Sequence, residues 1–177
     1  ESFIEAILST LPGVQGGTLV VGGDGRYGNR KAIDVILRMA AAHGLNKVVI
    51  TVNGILSTPA ASNLIRMNNA IGGIILSASH NSGGLDADFG VKLNGSNGGP
   101  ASESLTNSIY LCTKNLSKYK IIESQDISID EIGVHCIGRM IVEVIDGVDD
   151  YISLMQDLFD FDRINFLLRS NFPIAFD

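Results

Sequence analysis

A serine and a histidine stand side by side where an apolar run ends. The segment GGIILSASHNSGG places Ile74, Ile75 and Leu76 just ahead of Ser79 and His80. A strand buried on both faces delivers the next few residues to the carboxyl edge of an open α/β sheet, where such folds keep their chemistry. A hydrolase pair fits poorly, because adjacent residues on extended backbone point to opposite sides and the chain shows no GxSxG elbow here. The glycine-rich turn from Ser79 to Gly84 suits an oxyanion better, since its amide hydrogens can gather around a phosphate. The alternative is a serine and an asparagine that bond their own backbone in a turn.

A cation adds to the candidate site. In FGVKLN, Phe89 to Asn94, apolar and polar residues alternate with the period of a strand, so Lys92 faces away from Val91 and Leu93. If this strand folds back as a hairpin, the Lys92 ammonium returns to Ser79, where it would hold a phosphate or move a proton. Solvent is the commoner place for a lysine. Asp86 and Asp88 form a DxD pair in the connecting loop, a weak pattern for a cation site.

Upstream, GGDGRYG sets Asp24 and Arg26 in a glycine turn after the run TLVVG. Arg26 can pair with Asp24 or offer its fork to a phosphate. Gly23, Gly25 and Gly28 also spell GxGxxG, but a dinucleotide fold asks for a carboxylate about 20 residues further on. No Asp or Glu occurs from Val35 through Leu85. That gap counts against a dinucleotide.

The elements that must position these side chains alternate along the chain. Phe3, Ile4, Ile7, Leu8 and Leu11 share one helical face, and the run from Thr18 reads as a strand. A helix from Arg30 to His43 turns Ile33, Ile36, Leu37 and Ala40 inward and stops at Gly44. KVVIT from Lys47 is the next strand, and Thr58 caps a helix that carries Pro59 in its first turn and ends near Met67. The run Gly73 to Ser77 comes next. Strand, helix, strand, helix, strand implies right-handed crossovers and an α/β fold: a mixed, mainly parallel sheet with helices on both faces.

Beyond Asn94 the spacing predicts a helix from Glu103 to Leu116, a polar surface excursion over residues 117–139 with one short strand, and a strand in RMIVEVID. Asp149 and Asp150 open a helix through Phe159, and PIAF begins a further strand. The expected division is a domain over residues 1–150, with 151–177 as linker helix and the start of a second domain. Glu1 in place of a methionine and the ending FPIAFD lead to the expectation of an incomplete chain.

Net charge of -6 argues against a nucleic-acid or membrane-surface role, and the 45% hydrophobic content is that of a globular chain. No apolar run approaches the ~18 residues that span a bilayer. Cys112 and Cys136 lack the spacing of a metal site and read as buried or idle thiols in a reduced chain. The expected setting is cytoplasmic.

Taken in order, VVGGDGR, NGILSTPA, SASHNSGG, FGVKLN and NGGPA resemble the amino-terminal domain of the alpha-D-phosphohexomutases, most closely the phosphoglucomutases of eukaryotic type. The resemblance runs from about Phe3 to Asp177. It implies the first of four similar domains around a deep cleft. It also implies that Ser79 carries a phosphoryl group, donates it to a hexose monophosphate and recovers it from the other end of the bound bisphosphate. His80 and Lys92 match positions near the reacting groups, and Arg26 matches the arginine of the GGDGR segment, with a role toward substrate or phosphate.

The implied activity is reversible interconversion of glucose 1-phosphate and glucose 6-phosphate through glucose 1,6-bisphosphate. The implied cofactor is a magnesium ion (Mg2+), to which Ser79 gives one ligand and aspartates of a DGDGDR motif in a later domain give the rest. No such motif occurs in these 177 residues, and Asp86 and Asp88 do not correspond to it. The fragment alone is therefore expected to be inactive. Where the family carries proline after ASHN, this chain has Ser82, which frees one backbone torsion. A non-catalytic relative that binds a partner, and a dinucleotide-binding domain, stand as the other readings. The expected partner is a small hexose phosphate, with neither nucleic acid nor membrane; the sequence leaves the oligomeric state open.

Overall fold

The structure is a computed structural model that describes residues 1–176. Its elements run α1 (Ser2–Thr10), β1 (Thr18–Gly23), α2 (Asn29–Ala42), β2 (Lys47–Ile55), α3 (Thr58–Met67) and β3 (Gly72–Leu76). They continue with β4 (Val91–Gly95), α4 (Glu103–Asn115), β5 (Gly133–Ile137), β6 (Met140–Ile145), α5 (Asp149–Leu158) and α6 (Phe161–Arg169).

Six strands form one sheet in the order β4-β3-β1-β2-β6-β5. The inner four, β3, β1, β2 and β6, are parallel, whereas β4 and β5 pair antiparallel at the two edges. The chain leaves β1 through α2 toward β2, then returns through α3 past β1 to β3. Right-handed crossovers in opposite directions along a sheet put their helices on opposite faces. Accordingly α2, with α1, covers a core containing Leu19, Val21, Ile33 and Ile74, while α3 covers Val20, Val49 and Ile75 on the other side. Strands flanked on both faces must be apolar throughout, which is why every residue of β3 is buried.

Several elements begin or pack differently from the sequence reading. The cap of α3 is Ser57 rather than Thr58: its Oγ accepts from Ala60 N–H at 3.4 Å. Phe3 is 43% exposed, because the inward stripe of α1 is Ile4, Ile7 and Leu8. Glu5 takes the buried place beside them. Its carboxylate meets His43 Nε2 at 2.8 Å and accepts from Ser9 Oγ at 3.0 Å and Lys120 N–H at 2.9 Å. Burial pushes this carboxyl up, but the Lys120 amide, His43 and Ser9 together outweigh it and hold Glu5 below its usual range. The cluster joins α1 to the end of α2 and to the segment after α4.

The segment over residues 117–139 is less of a surface excursion than its polarity implies. Ile129 is fully buried, and its carbonyl accepts from Asn53 N–H at 2.7 Å, which ties the segment to the end of β2. Lys120 and Ile129 anchor it at irregular spacing ahead of β5, the one short strand expected there. Cys136 is exposed and Cys112 half-buried, and both are free thiols. The helix expected from Asp149 through Phe159 is α5, and a further helix, α6, follows it, capped by Asp160, whose carboxylate accepts from Arg163 N–H at 2.9 Å. PIAF, Pro173 to Phe176, pairs with no strand among the described residues.

Ile74 lies fully buried between Val21 of β1 and Leu93 of β4. Ile74→Ala is expected to lower stability by about 2 to 5 kcal/mol through lost transfer energy and the cavity left behind. Urea unfolding checks it: the midpoint should fall with the slope unchanged.

Candidate functional site

The carboxyl ends of β1 and β3 lie side by side, with Gly23 opposite Leu76. A Cβ on Gly23 would come within 2.3 Å of the Leu76 carbonyl oxygen, so this approach requires glycine. Asp24 N–H then donates to that carbonyl at 3.0 Å. Two loops thereby meet, Asp24 to Gly28 and Ser77 to Gly90. Neighbouring strand ends whose chains depart in different directions make the crevice that open α/β sheets use for ligands.

Ser79 sits in this crevice with its side chain exposed and a φ of 57°. Non-glycine residues hold that left-handed conformation at a cost of roughly 1 to 3 kcal/mol, and only where their surroundings enforce it. The hairpin expected from FGVKLN is formed: β4 runs antiparallel to β3 with Lys92 opposite Ile75. Lys92 Nζ donates to Ser79 Oγ at 2.7 Å. The alcohol and the cation named from sequence are in direct contact.

Arg26 bridges the two loops. Its Nε and Nη2 donate to the Asp24 carboxylate at 2.8 to 3.0 Å, and its Nη1 donates to the Asp88 carbonyl at 2.6 Å. Nη2 also reaches the carbonyls of Ser79 at 3.3 Å and Asn81 at 3.4 Å. With its side chain only 7% exposed, the guanidinium is turned into the protein. The pairing with Asp24 is realised, and both Nη groups are engaged by loop carbonyls. Arg26 holds the Asp24 carboxyl down at about 2, against burial, with the Ser77 hydroxyl and the Arg26 amide assisting.

His80 is exposed, and no hydrogen bond joins it to Ser79 among the described residues. Asp86 and Asp88 are exposed in the loop, and Asp88 contributes its backbone carbonyl to Arg26. Sequence reasoning passed over Ser77. Its Oγ accepts from Ser79 N–H at 3.0 Å. The available signal was the i, i+2 spacing of a hydroxyl that bonds a turn amide.

Among the described residues no three His, Cys, Asp or Glu side chains gather where they could hold a metal ion. At Ser79 the neighbouring group is an ammonium, and the Asp24 carboxylate of the adjoining loop is taken by Arg26. The side chains here do not make a magnesium site, and Ser79 offers one oxygen to such an ion. No helix among the described residues is long and apolar enough to cross a membrane.

The family described as phosphoglucomutase/phosphomannomutase, alpha/beta/alpha domain I, matches residues 1–120. A phosphoglucomutase of Rhizobium radiobacter is 51% identical over 177 residues, covering 100% of this chain and 33% of the relative. A phosphoglucomutase of Aspergillus fumigatus is 48% identical over 180 residues, covering 100% of this chain and 32% of the relative. The chain thus spans about a third of the length of these curated relatives. Among solved structures, the open form of the exocytosis-sensitive phosphoprotein pp63/parafusin, a phosphoglucomutase from Paramecium, superposes with a TM-score of 0.85 at 42% identity. That match covers 91% of this chain and 32% of the Paramecium chain.

Asp24 gives a pH test of the site. Its carboxyl drops from 3.8 to about 2 on folding. A depressed acid stabilises the folded state fully above its unfolded value, and that contribution fades as pH falls through the folded one. Acid unfolding between pH 4 and pH 2 should therefore be shallower in Asp24→Asn than in the natural protein, as measured by circular dichroism, while the two lose stability in parallel at higher pH. Identical acid profiles would show that the pair with Arg26 contributes nothing.

Proposed function

Since this chain belongs to the phosphoglucomutase/phosphomannomutase family, we propose that the protein is a phosphoglucomutase in which Ser79 is the phosphoryl carrier. The observation that carries this reading is the 2.7 Å contact from Lys92 Nζ to Ser79 Oγ at the carboxyl edge of the sheet.

A serine hydroxyl is a weak nucleophile, and phosphoryl transfer asks mainly for an aligned attacking oxygen and cations around the moving charge. Here the left-handed Ser79 backbone presents Oγ to the crevice, and Lys92 supplies a fixed positive charge beside it. In one direction the phosphate on Ser79 passes to the free 6-hydroxyl of glucose 1-phosphate: the Oγ–P bond breaks, a sugar O–P bond forms, and the hydroxyl loses its proton. The bound glucose 1,6-bisphosphate then turns end for end. Ser79 recovers the phosphate from the 1-position, and glucose 6-phosphate leaves. Lys92 stabilises charge on the transferring oxygens, and the proton is assigned to the exposed imidazole of His80.

A magnesium ion, where bound, would neutralise phosphoryl charge, with Ser79 as one ligand and carboxylates from other parts of the whole protein as the rest. Arg26 acts on the loop in this reading. Residues 1–150 are taken as the domain that carries the loop, with α5 as the seam: half-buried Tyr151 packs on the core beneath α3, and neither α5 nor α6 has a fully buried residue. Two free thiols suit a cytoplasmic enzyme.

The test uses the whole protein with labelled glucose 1,6-bisphosphate and magnesium. One phosphate should appear on the peptide containing Ser79, and Ser79→Ala should abolish both label and turnover. Lys92→Met should keep the fold and lose on the order of 10²- to 10⁴-fold in rate. A fully active Ser79→Ala protein, free of contaminating mutase, would reject the mechanism.

A further inference from the structure

We propose that Ser77 is a positioning residue for phosphoryl transfer: its hydroxyl holds the Ser79 backbone in the one conformation that brings Ser79 Oγ to Lys92. The inference rests on the reading of Ser79 as the phosphoryl carrier. Ser79 is held at three atoms. Its N–H donates to Ser77 Oγ at 3.0 Å, its carbonyl accepts from Arg26 Nη2 at 3.3 Å, and its Oγ accepts from Lys92 Nζ at 2.7 Å. The first two flank the φ of 57° and so fix the direction of Cβ. Of these two, the bond to Ser77 is the shorter.

Ser77 is itself anchored well enough to act as a fixed point. It comes directly after the last residue of β3, is 8% exposed, and its N–H donates to the Gly90 carbonyl at 2.9 Å. A Cβ on Gly90 would lie 2.3 Å from the Ser77 carbonyl oxygen, so the two chains are pressed together at that level. The hydroxyl can serve two neighbours. Its oxygen accepts from Ser79, and its hydrogen is left for the Asp24 carboxylate, which Arg26 foremost and the Ser77 hydroxyl after it keep ionised. The Asp24 carboxylate in turn orients Arg26 on the Ser79 carbonyl.

Without this hydroxyl, Ser79 loses the partner that enforces a left-handed backbone, and a return to negative φ swings Oγ away from Lys92. Displacement of a reacting atom by about 1 Å can cost 10²-fold in rate with little effect on binding remote from it. The role is therefore visible in kcat rather than in KM.

The experiment compares Ser77→Thr, which keeps the hydroxyl, with Ser77→Val, which has the same shape without it, and with Ser77→Ala. Each is made in the whole protein. Steady-state kinetics, rapid-quench transfer of phosphate from glucose 1,6-bisphosphate to Ser79, and thermal unfolding are read together. Threonine should stay within about threefold of the natural rate, while valine and alanine should lose about 10- to 100-fold in kcat and in the transfer step at nearly unchanged KM. Valine as fast as threonine, with the fold intact, overturns the proposal. So does loss of the fold in both variants without the hydroxyl, since that would make Ser77 a support of the domain rather than of Ser79. A natural protein that takes no phosphate on Ser79 would instead remove the carrier reading itself, and is told apart because it precedes any comparison of variants.

Discussion

The ion pair between Arg26 and Asp24 organises everything that the Ser79 loop does. A guanidinium is charged at all accessible pH values and carries five donors in a fixed plane. Arg26 is turned inward, so each donor needs an acceptor, and an unpaired charge there would be costly. Asp24 takes one edge of the fork, and the carbonyls of Ser79, Asn81 and Asp88 accept from the Nη groups on the other. A polar, glycine-bearing loop that forms neither helix nor strand has little structure of its own; wrapped around one cation, it has few ways to lie.

That arrangement depends in turn on the sheet. Asp24 and Ser77 are neighbours because β1 and β3 are neighbours, and those strands pair because α2 and α3 cross over on opposite faces. The glycine at position 23 lets the strands close to the point where Asp24 N–H reaches the Leu76 carbonyl. On the far side, the β4 hairpin brings Lys92 back over the same edge. Apolar burial thus sets the relative positions of an alcohol, an ammonium and an ion pair drawn from three separate stretches of sequence.

The range over which each interaction acts decided how legible it was in the sequence. The strands around the crevice are apolar runs closed by glycine or polar turns, and period two in FGVKLN was enough to aim Lys92 at Ser79. Local pattern carried those readings. Arg26 was harder, because its choice between a phosphate and the protein is made by carbonyls 53 to 62 residues away. The same holds for Glu5, whose partner His43 lies 38 residues on and turns a charged position of α1 into a buried one. Ser77 was within reach, since its bond to Ser79 spans two residues; what concealed it was the pull of the more reactive serine beside it. The metal question lay outside local pattern altogether, as the side chains here provide one oxygen.

Ser82 shows how the loop is stiffened without the proline that the resemblance led one to expect. Proline would restrict one torsion of the chain. Here the constraint comes from bonds on either side: Asn81 N–H donates to the Ala78 carbonyl at 3.1 Å, Asp88 N–H donates to the Ser82 carbonyl at 3.2 Å, and Arg26 Nη2 reaches the Asn81 carbonyl at 3.4 Å. These bonds are modest one by one, about 1 kcal/mol each where water competes. Two of the three close the loop on itself, and the third ties it to the cation buried beneath it. Rigidity therefore belongs to the Arg26 network rather than to any single backbone torsion, and residue 82 can change its type while Ser79 keeps its place.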